Sequence, residues 1–160
     1  MGAGIFATAG AKLYIGNAQA GQTADFVLGD FAGQSWVAVS WLENIGSFGD
    51  EATEITFDAI DQGRTQKLKG TRNAGNMEVV AGAEYDDPGQ ISVRAAEATP
   101  LDYAFKVEFD DAPTAGTPSE RYFIAKVMSA REQLDTANNV IRLQATLGVN
   151  SNIVRVNAAV

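Results

Sequence analysis

Neither cysteine nor histidine occurs among the 160 residues, and proline occurs only four times. That leaves no disulfide, thiolate zinc site, cysteine nucleophile, Ser-His-Asp triad or imidazole base. A chain without cysteine accords with a cytoplasmic folding environment. No apolar run approaches the roughly 20 residues of a membrane-spanning helix. The first residues, "MGAGIFATAGAKLYIG", carry neither the basic nor the apolar region of a signal peptide. Positive charge is also scarce, with 12 Lys and Arg against 20 Asp and Glu and a net charge of −8. Most of the surface should therefore repel nucleic-acid phosphates. With 46% hydrophobic and 20% charged residues, the chain reads as a single domain, 1–160, able to bury a core.

What is present is mostly strand pattern. Residues 12–16, 35–46, 53–60, 66–70 and 76–82 are rich in β-branched and aromatic residues or alternate in polarity. In "TEITFDAI", Ile55, Phe57 and Ala59 fall on one face and Glu54, Thr56 and Asp58 on the other. "LDYAFKVEF" alternates, placing Leu101, Tyr103, Phe105, Val107 and Phe109 inward. "RYFIAKVMS" is nearly continuous in apolar residues, which implies cover on both faces. "NVIRLQATLGVN" alternates again, with Ile141, Leu143, Ala145, Leu147 and Val149 on one side. A single helix is expected over 86–100, with Asp87 as N-cap, Pro88 at N1 and Gln90 completing a capping box. Its apolar face is read as Ile91, Ala95 and Ala98. Residues 1–11 form a Gly/Ala-rich arm expected to be mobile, and 17–34 and 110–120 are long loops. The fold class is mainly β: a β-sandwich or barrel of about seven or eight strands with one flanking α-helix.

Three stretches invite a chemical reading. "GAGIFA" at 2–7 matches the spacing of a dinucleotide fingerprint but lacks the flanking strand and helix that give the motif its meaning. Between Glu43 and Asp61 there are six carboxylates and no cation. They lack calcium-loop spacing and single out no glycosidase pair, so they read as a solvated or interface wall. "GRTQKLKGTRNAGN" then places Arg64, Lys67, Lys69 and Arg72 together, four of the twelve cations. The order of Lys69 and Gly70 is wrong for a phosphate loop, and no aromatic residue stands nearby to stack a base. A solvated hairpin and a charge-complementary protein interface both remain open, and the adjacent acid-only run favours the interface.

The order of these features resembles the tail tube proteins of long, non-contractile-tailed bacteriophages. The matching features are an aromatic strand leading to "IGSFGDE", then "GRTQKLKGTRNAGN", a "DDPGQ" helix start, and "YAFKVEF" joined to "RYFIAKVMSA" by a long polar loop. The resemblance spans roughly residues 12–150. It implies a structural, non-enzymatic protein with no cofactor and no metal. Such subunits form six-fold rings that stack into a tube, as in contractile tails and the type VI secretion tube, and the genome passes through the lumen at ejection. The implied partners are further copies of the chain, other tail proteins at the two tube ends and DNA in transit, with no membrane. The implied location is the virion tail, assembled in the host bacterial cytoplasm. On this resemblance Glu54, Thr56 and Asp58 are candidates to line the lumen, and Asp50, Glu51, Arg64, Lys67, Lys69 and Arg72 to contact neighbouring subunits. No immunoglobulin-like appendage of the kind some relatives carry is seen in the sequence. The alternative is a monomeric carbohydrate-binding β-sandwich, which needs an exposed aromatic platform; Trp36 and Trp41 are the only indoles, and both read as core or interface residues.

Overall fold

A computed structural model describes residues 4–160. The strands are β1 (Lys12–Ala18), β2 (Val37–Val39), β3 (Leu42–Asn44), β4 (Glu51–Phe57), β5 (Gln66–Asn73), β6 (Asn76–Gly82), β7 (Tyr103–Glu108), β8 (Glu120–Gln133), β9 (Arg142–Val149) and β10 (Val154–Val156). One α-helix, α1, covers Pro88–Glu97, and a 3-10 turn covers Leu28–Phe31. The main sheet is antiparallel and ordered β2-β1-β7-β8-β9-β6-β3, with β10 also on β8. β4 and β5 form a separate two-stranded sheet.

The expected strand over 35–46 is broken in two, and the break closes the fold. β2 and β3 sit at opposite ends of the strand order, yet only Ser40 and Trp41 separate them. A chain that leaves one end of a sheet and enters the other within two residues makes the sheet a barrel. The corner bends at Trp41, whose φ is +61°, a region that side-chain-bearing residues rarely occupy. Helix α1 holds it from outside the local sequence. Asp87 accepts hydrogen bonds from the backbone N–H groups of Gln90 (3.0 Å) and Ser40 (3.2 Å). The buried Gln90 amide donates to Ser40 O (3.0 Å) and Gly82 O (2.8 Å), and its oxygen accepts from Glu84 N–H (3.0 Å). The helix start comes so close to β2 that a Cβ on Gly89 would fall on the Ala38 carbonyl.

Two expectations about the helix are corrected here. Asp87 caps the helix as expected, but Gln90 does not return a bond to the cap; its side chain is spent on the barrel corner. The buried face is Gly89, Gln90, Val93 and Ala96, while Ile91, Ala95 and Ala98 are exposed. Seating the helix through Gln90 rotates it away from the face that apolar spacing alone suggests.

The interior is filled by Leu13, Ile15, Val39, Met77, Val79, Phe105, Val107, Phe123, Val127, Ala145 and Leu147, with Val93 and Ala96 of the helix closing it. Phe105 and Phe123 stack with their centroids 5.8 Å apart. The continuous apolar run in β8 is covered on both sides, as expected. Phe123 and Ala125 face the interior, while Tyr122 and Ile124 join Ala104, Phe26 and Phe31 in a second cluster outside the barrel. The long loop 17–34 supplies that cover, and Asn152 pins it by exchanging two hydrogen bonds with the Phe26 backbone, 2.7 and 2.9 Å. Burial raises the Tyr122 hydroxyl's pKa, reinforced by its donation to the Glu120 carboxylate. In the loop 110–119, Asp111 accepts from the Ser119 hydroxyl and backbone N–H, and both bonds hold its carboxyl below the usual range. Leu101 and Ile141, expected to point inward, lie just before β7 and β9 and are exposed.

Of the 2–7 fingerprint, residues 2 and 3 lie outside the described residues; the rest is followed by a turn closed from Ala11 N–H to Thr8 O (3.0 Å). No helix of the fold is long and apolar enough to cross a membrane.

Candidate assembly surface

The residues singled out by charge come together on the β4–β5 hairpin. The chain leaves β3 at Gly46, where φ is +77° and a Cβ would collide with the Glu78 carbonyl. It returns to β6 through a turn in which Asn73 accepts from Gly75 N–H (2.9 Å). Within the hairpin the Cα partners are Glu51 with Asn73, Ala52 with Arg72, Glu54 with Lys69, Ile55 with Leu68, Thr56 with Lys67, and Phe57 with Gln66. A bulge at Gly70 and Thr71, which together face Thr53, accommodates the extra residue on β5.

Alternation about this register sorts the side chains. One face carries Ala52, Glu54, Thr56, Lys67, Lys69 and Arg72; the other carries Glu51, Ile55, Phe57, Leu68 and Gly70. Acid and base are not on separate surfaces. Glu54 pairs with Lys67 of the same hairpin at 3.7 Å, both largely exposed. Asp58 lies just past the end of β4, Arg64 lies in the connection before β5, and Asp50 and Arg72 sit at the hairpin base. There they line a groove of about 420 Å³ with Asp25, Asn150 and Asn152.

The feature hidden from the sequence is the other face. Alternation implied that Ile55 and Phe57 would pack inward, but they are 47% and 61% exposed, and Leu68 is 59% exposed. Of the strand residues only Ala52 and Gly70 are even half-buried. The hairpin therefore stands away from the barrel with both faces uncovered and shares no ladder with the main sheet. A two-stranded hairpin without a packed face is marginal in water, and its free edges offer unpaired backbone groups to another chain.

Trp41, read from the sequence as a core or interface residue, is not in the core. It is exposed, and the corner geometry holds it in a conformation that costs on the order of 1–3 kcal/mol. Its indole N–H donates to Glu84 (2.9 Å). Trp36, by contrast, is half-buried, 5.8 Å from the Tyr122 ring. Among the described residues no cluster of three or more Asp or Glu is placed to hold a metal ion.

No protein-family model and no curated protein matches the chain by sequence. Solved structures do match in fold. The SPP1 tail tube aligns with a TM-score of 0.60 at 13% identity, over 94% of this chain and 77% of that one. A chain from the 6-fold symmetrised baseplate of the anti-feeding prophage aligns with a TM-score of 0.63 at 11% identity, over 98% of both chains. Across nearly its whole length, this chain has the phage tail tube fold.

Proposed function

We propose that the protein is a structural subunit that assembles with its own copies into stacked rings, forming a phage tail tube. The observation that carries this reading is the β4–β5 hairpin, with apolar side chains, charges and strand edges exposed on a fold shared with the SPP1 tail tube. Rings of six are supported by the likeness to a chain from a 6-fold symmetrised assembly. The role needs no catalysis, and the chain offers neither imidazole nor thiol for it.

With a net charge of −8, the assembled surface repels phosphates, so a lumen lined by such subunits lets DNA slide without adhering. Glu54, Thr56 and Asp58 remain the candidates for that wall. Lys67 and Lys69 share the face of Glu54 and reduce its net negative charge, so the repulsion there is weaker than the sequence alone suggested. Asp50, Glu51, Arg64, Lys67, Lys69 and Arg72 are the candidate contacts between subunits. Other tail proteins would meet the tube at its ends, and the site of action would be the virion tail after assembly in the host cytoplasm.

Sedimentation across a concentration series tests the reading: the 16.9 kDa chain should shift to large, discrete species as concentration rises. Replacing both Lys67 and Lys69 by glutamate should raise the concentration needed about tenfold or more at low ionic strength, and less at 0.5 M salt, because salt screens exposed charges. The barrel should still fold, since the hairpin lies outside its core. Unchanged assembly of the double variant at low salt would remove these lysines from the interface.

A further inference from the structure

Two arginines oppose each other where β10 joins the barrel wall. The register of β10 on β8 sets Arg155 directly across from Arg121, between the pairs Val154–Tyr122 and Val156–Glu120. Both side chains leave the same face. Tyr122, Val154 and Val156 belong to the outer cluster, whereas Phe123 and Ile153 pack in the interior one. Alternation therefore turns Arg121 and Arg155 to the interior side, with their Cβ atoms about 5 Å apart. Like charges so placed weaken a strand pair, and β10 has only three residues with which to resist.

The chain does not neutralise this pair. Val107 lies across β7 from Arg121, Phe123 and Ile153 lie two residues away along the chain, and all three are apolar. The Arg121 guanidinium rests on the Phe109 ring, 4.9 Å from its centroid. Glu108 and Glu120 oppose each other on the outer face, where Glu120 accepts from the Tyr122 hydroxyl. Asp111 accepts its two bonds from Ser119. Neither arginine has an ion-pair partner among the described residues. Burial first, and then the charge of Arg155, lower the pKa of Arg121; the opposing pull of Asp111 is the smallest of the three. Arg121 is nonetheless held in place. Its Nη1 donates to Glu120 O (2.9 Å) and Val156 O (3.2 Å), which leaves its other nitrogens and the exposed Arg155 fork to meet a ligand.

We infer that Arg121 and Arg155 form a binding site for a single phosphate group. The two oxygens of a carboxylate are used up by one bidentate arginine, whereas a phosphate has enough oxygens to serve two forks at once. A duplex fits less well, because two cations on a chain of net charge −8 do not offset a row of phosphates. The bound group neutralises the opposed pair and, through the bond from Arg121 to Val156 O, clamps β10 onto β8. The site is independent of the tube reading.

Calorimetric titration with inorganic phosphate, at constant ionic strength and below the concentration of assembly, tests it. One saturable site is expected, with a melting temperature that rises as the site fills. Arg155→Gln should weaken binding about tenfold or more. Without phosphate the same variant should melt at or above the parent's temperature, because it removes a like-charge opposition; an arginine needed only for structure would lower it. Arg155→Lys keeps the charge without the fork, so it should bind between the two, and it replaces the glutamine variant if that one misfolds. No saturable binding, equal binding by Arg155→Gln, or a clearly lower melting temperature for that variant without phosphate would overturn the site. Acetate binding as tightly as phosphate would assign the pair to carboxylates, and tighter binding of a short DNA duplex per phosphate group would assign it to a nucleic-acid backbone. Either result would also overturn it.

Discussion

Leu68→Asp is expected to leave a folded monomer that no longer assembles. Leu68 is exposed on a hairpin outside the main sheet, opposite Ile55 in the ladder, and touches nothing in the barrel core. Its replacement should therefore shift the melting temperature by no more than a few degrees. Assembly is another matter. Covering Ile55, Phe57 and Leu68 contributes about 1.5–3 kcal/mol for each side chain. The aspartate removes one of these contributions and forces a carboxylate into an apolar contact, which adds a further desolvation cost of a few kcal/mol. A total of about 4 kcal/mol corresponds to roughly a thousandfold rise in the concentration needed for each contact. Leu68→Ala should fall between, at about ten- to a hundredfold. Sedimentation reads both effects, and normal assembly of Leu68→Asp would show that this face stays wet in the assembled state.

Gln90→Leu should cause a large loss of stability. The shape is nearly conserved, so packing around the helix start survives. What disappears is the set of bonds to Ser40 O, Gly82 O and Glu84 N–H, all made by a side chain that is 0% exposed. Two carbonyls and one N–H at the part-buried corner then lose their partners, at about 1–3 kcal/mol for each group that water does not reach. The sum is a large fraction of the 5–15 kcal/mol that typically stabilises a domain. A fall of about 10 °C or more in melting temperature follows for a chain of this size. Gln90→Glu keeps the acceptor for Glu84 N–H but loses the donor to the two carbonyls, so it should be no milder. Calorimetry showing either variant within about 2 °C of the parent would mean that the corner is held by something else.

The parts of the fold written in local pattern were legible. The alternation of Leu143, Ala145, Leu147 and Val149 marks the buried face of β9, and the unbroken run through Tyr122 and Ala125 marks a strand covered on both sides. Asp87 followed by Pro88 marks the helix start. What was not legible depends on contacts remote in sequence. Nothing near Trp41 announces a bend, because the bend is held by Gln90, 50 residues away from Ser40. The three residues of β10 pair with Tyr122, Arg121 and Glu120 and carry too short a pattern to be read alone. The hairpin misled for the opposite reason. Its alternation is real, but alternation states only that two faces differ, and it cannot say whether the apolar one meets its own barrel or another molecule. The clustering of cations and acids around 50–72 was visible, whereas the sharing of one face by Glu54, Lys67, Lys69 and Arg72 depends on the register set by the bulge at Gly70 and Thr71.

The central claim is self-assembly into a tube, and negative-stain microscopy of the concentrated, unmodified protein tests it most directly. Rings or stacked tubes with an open lumen are the expected result. Dispersed single particles at every concentration and salt tried would contradict it.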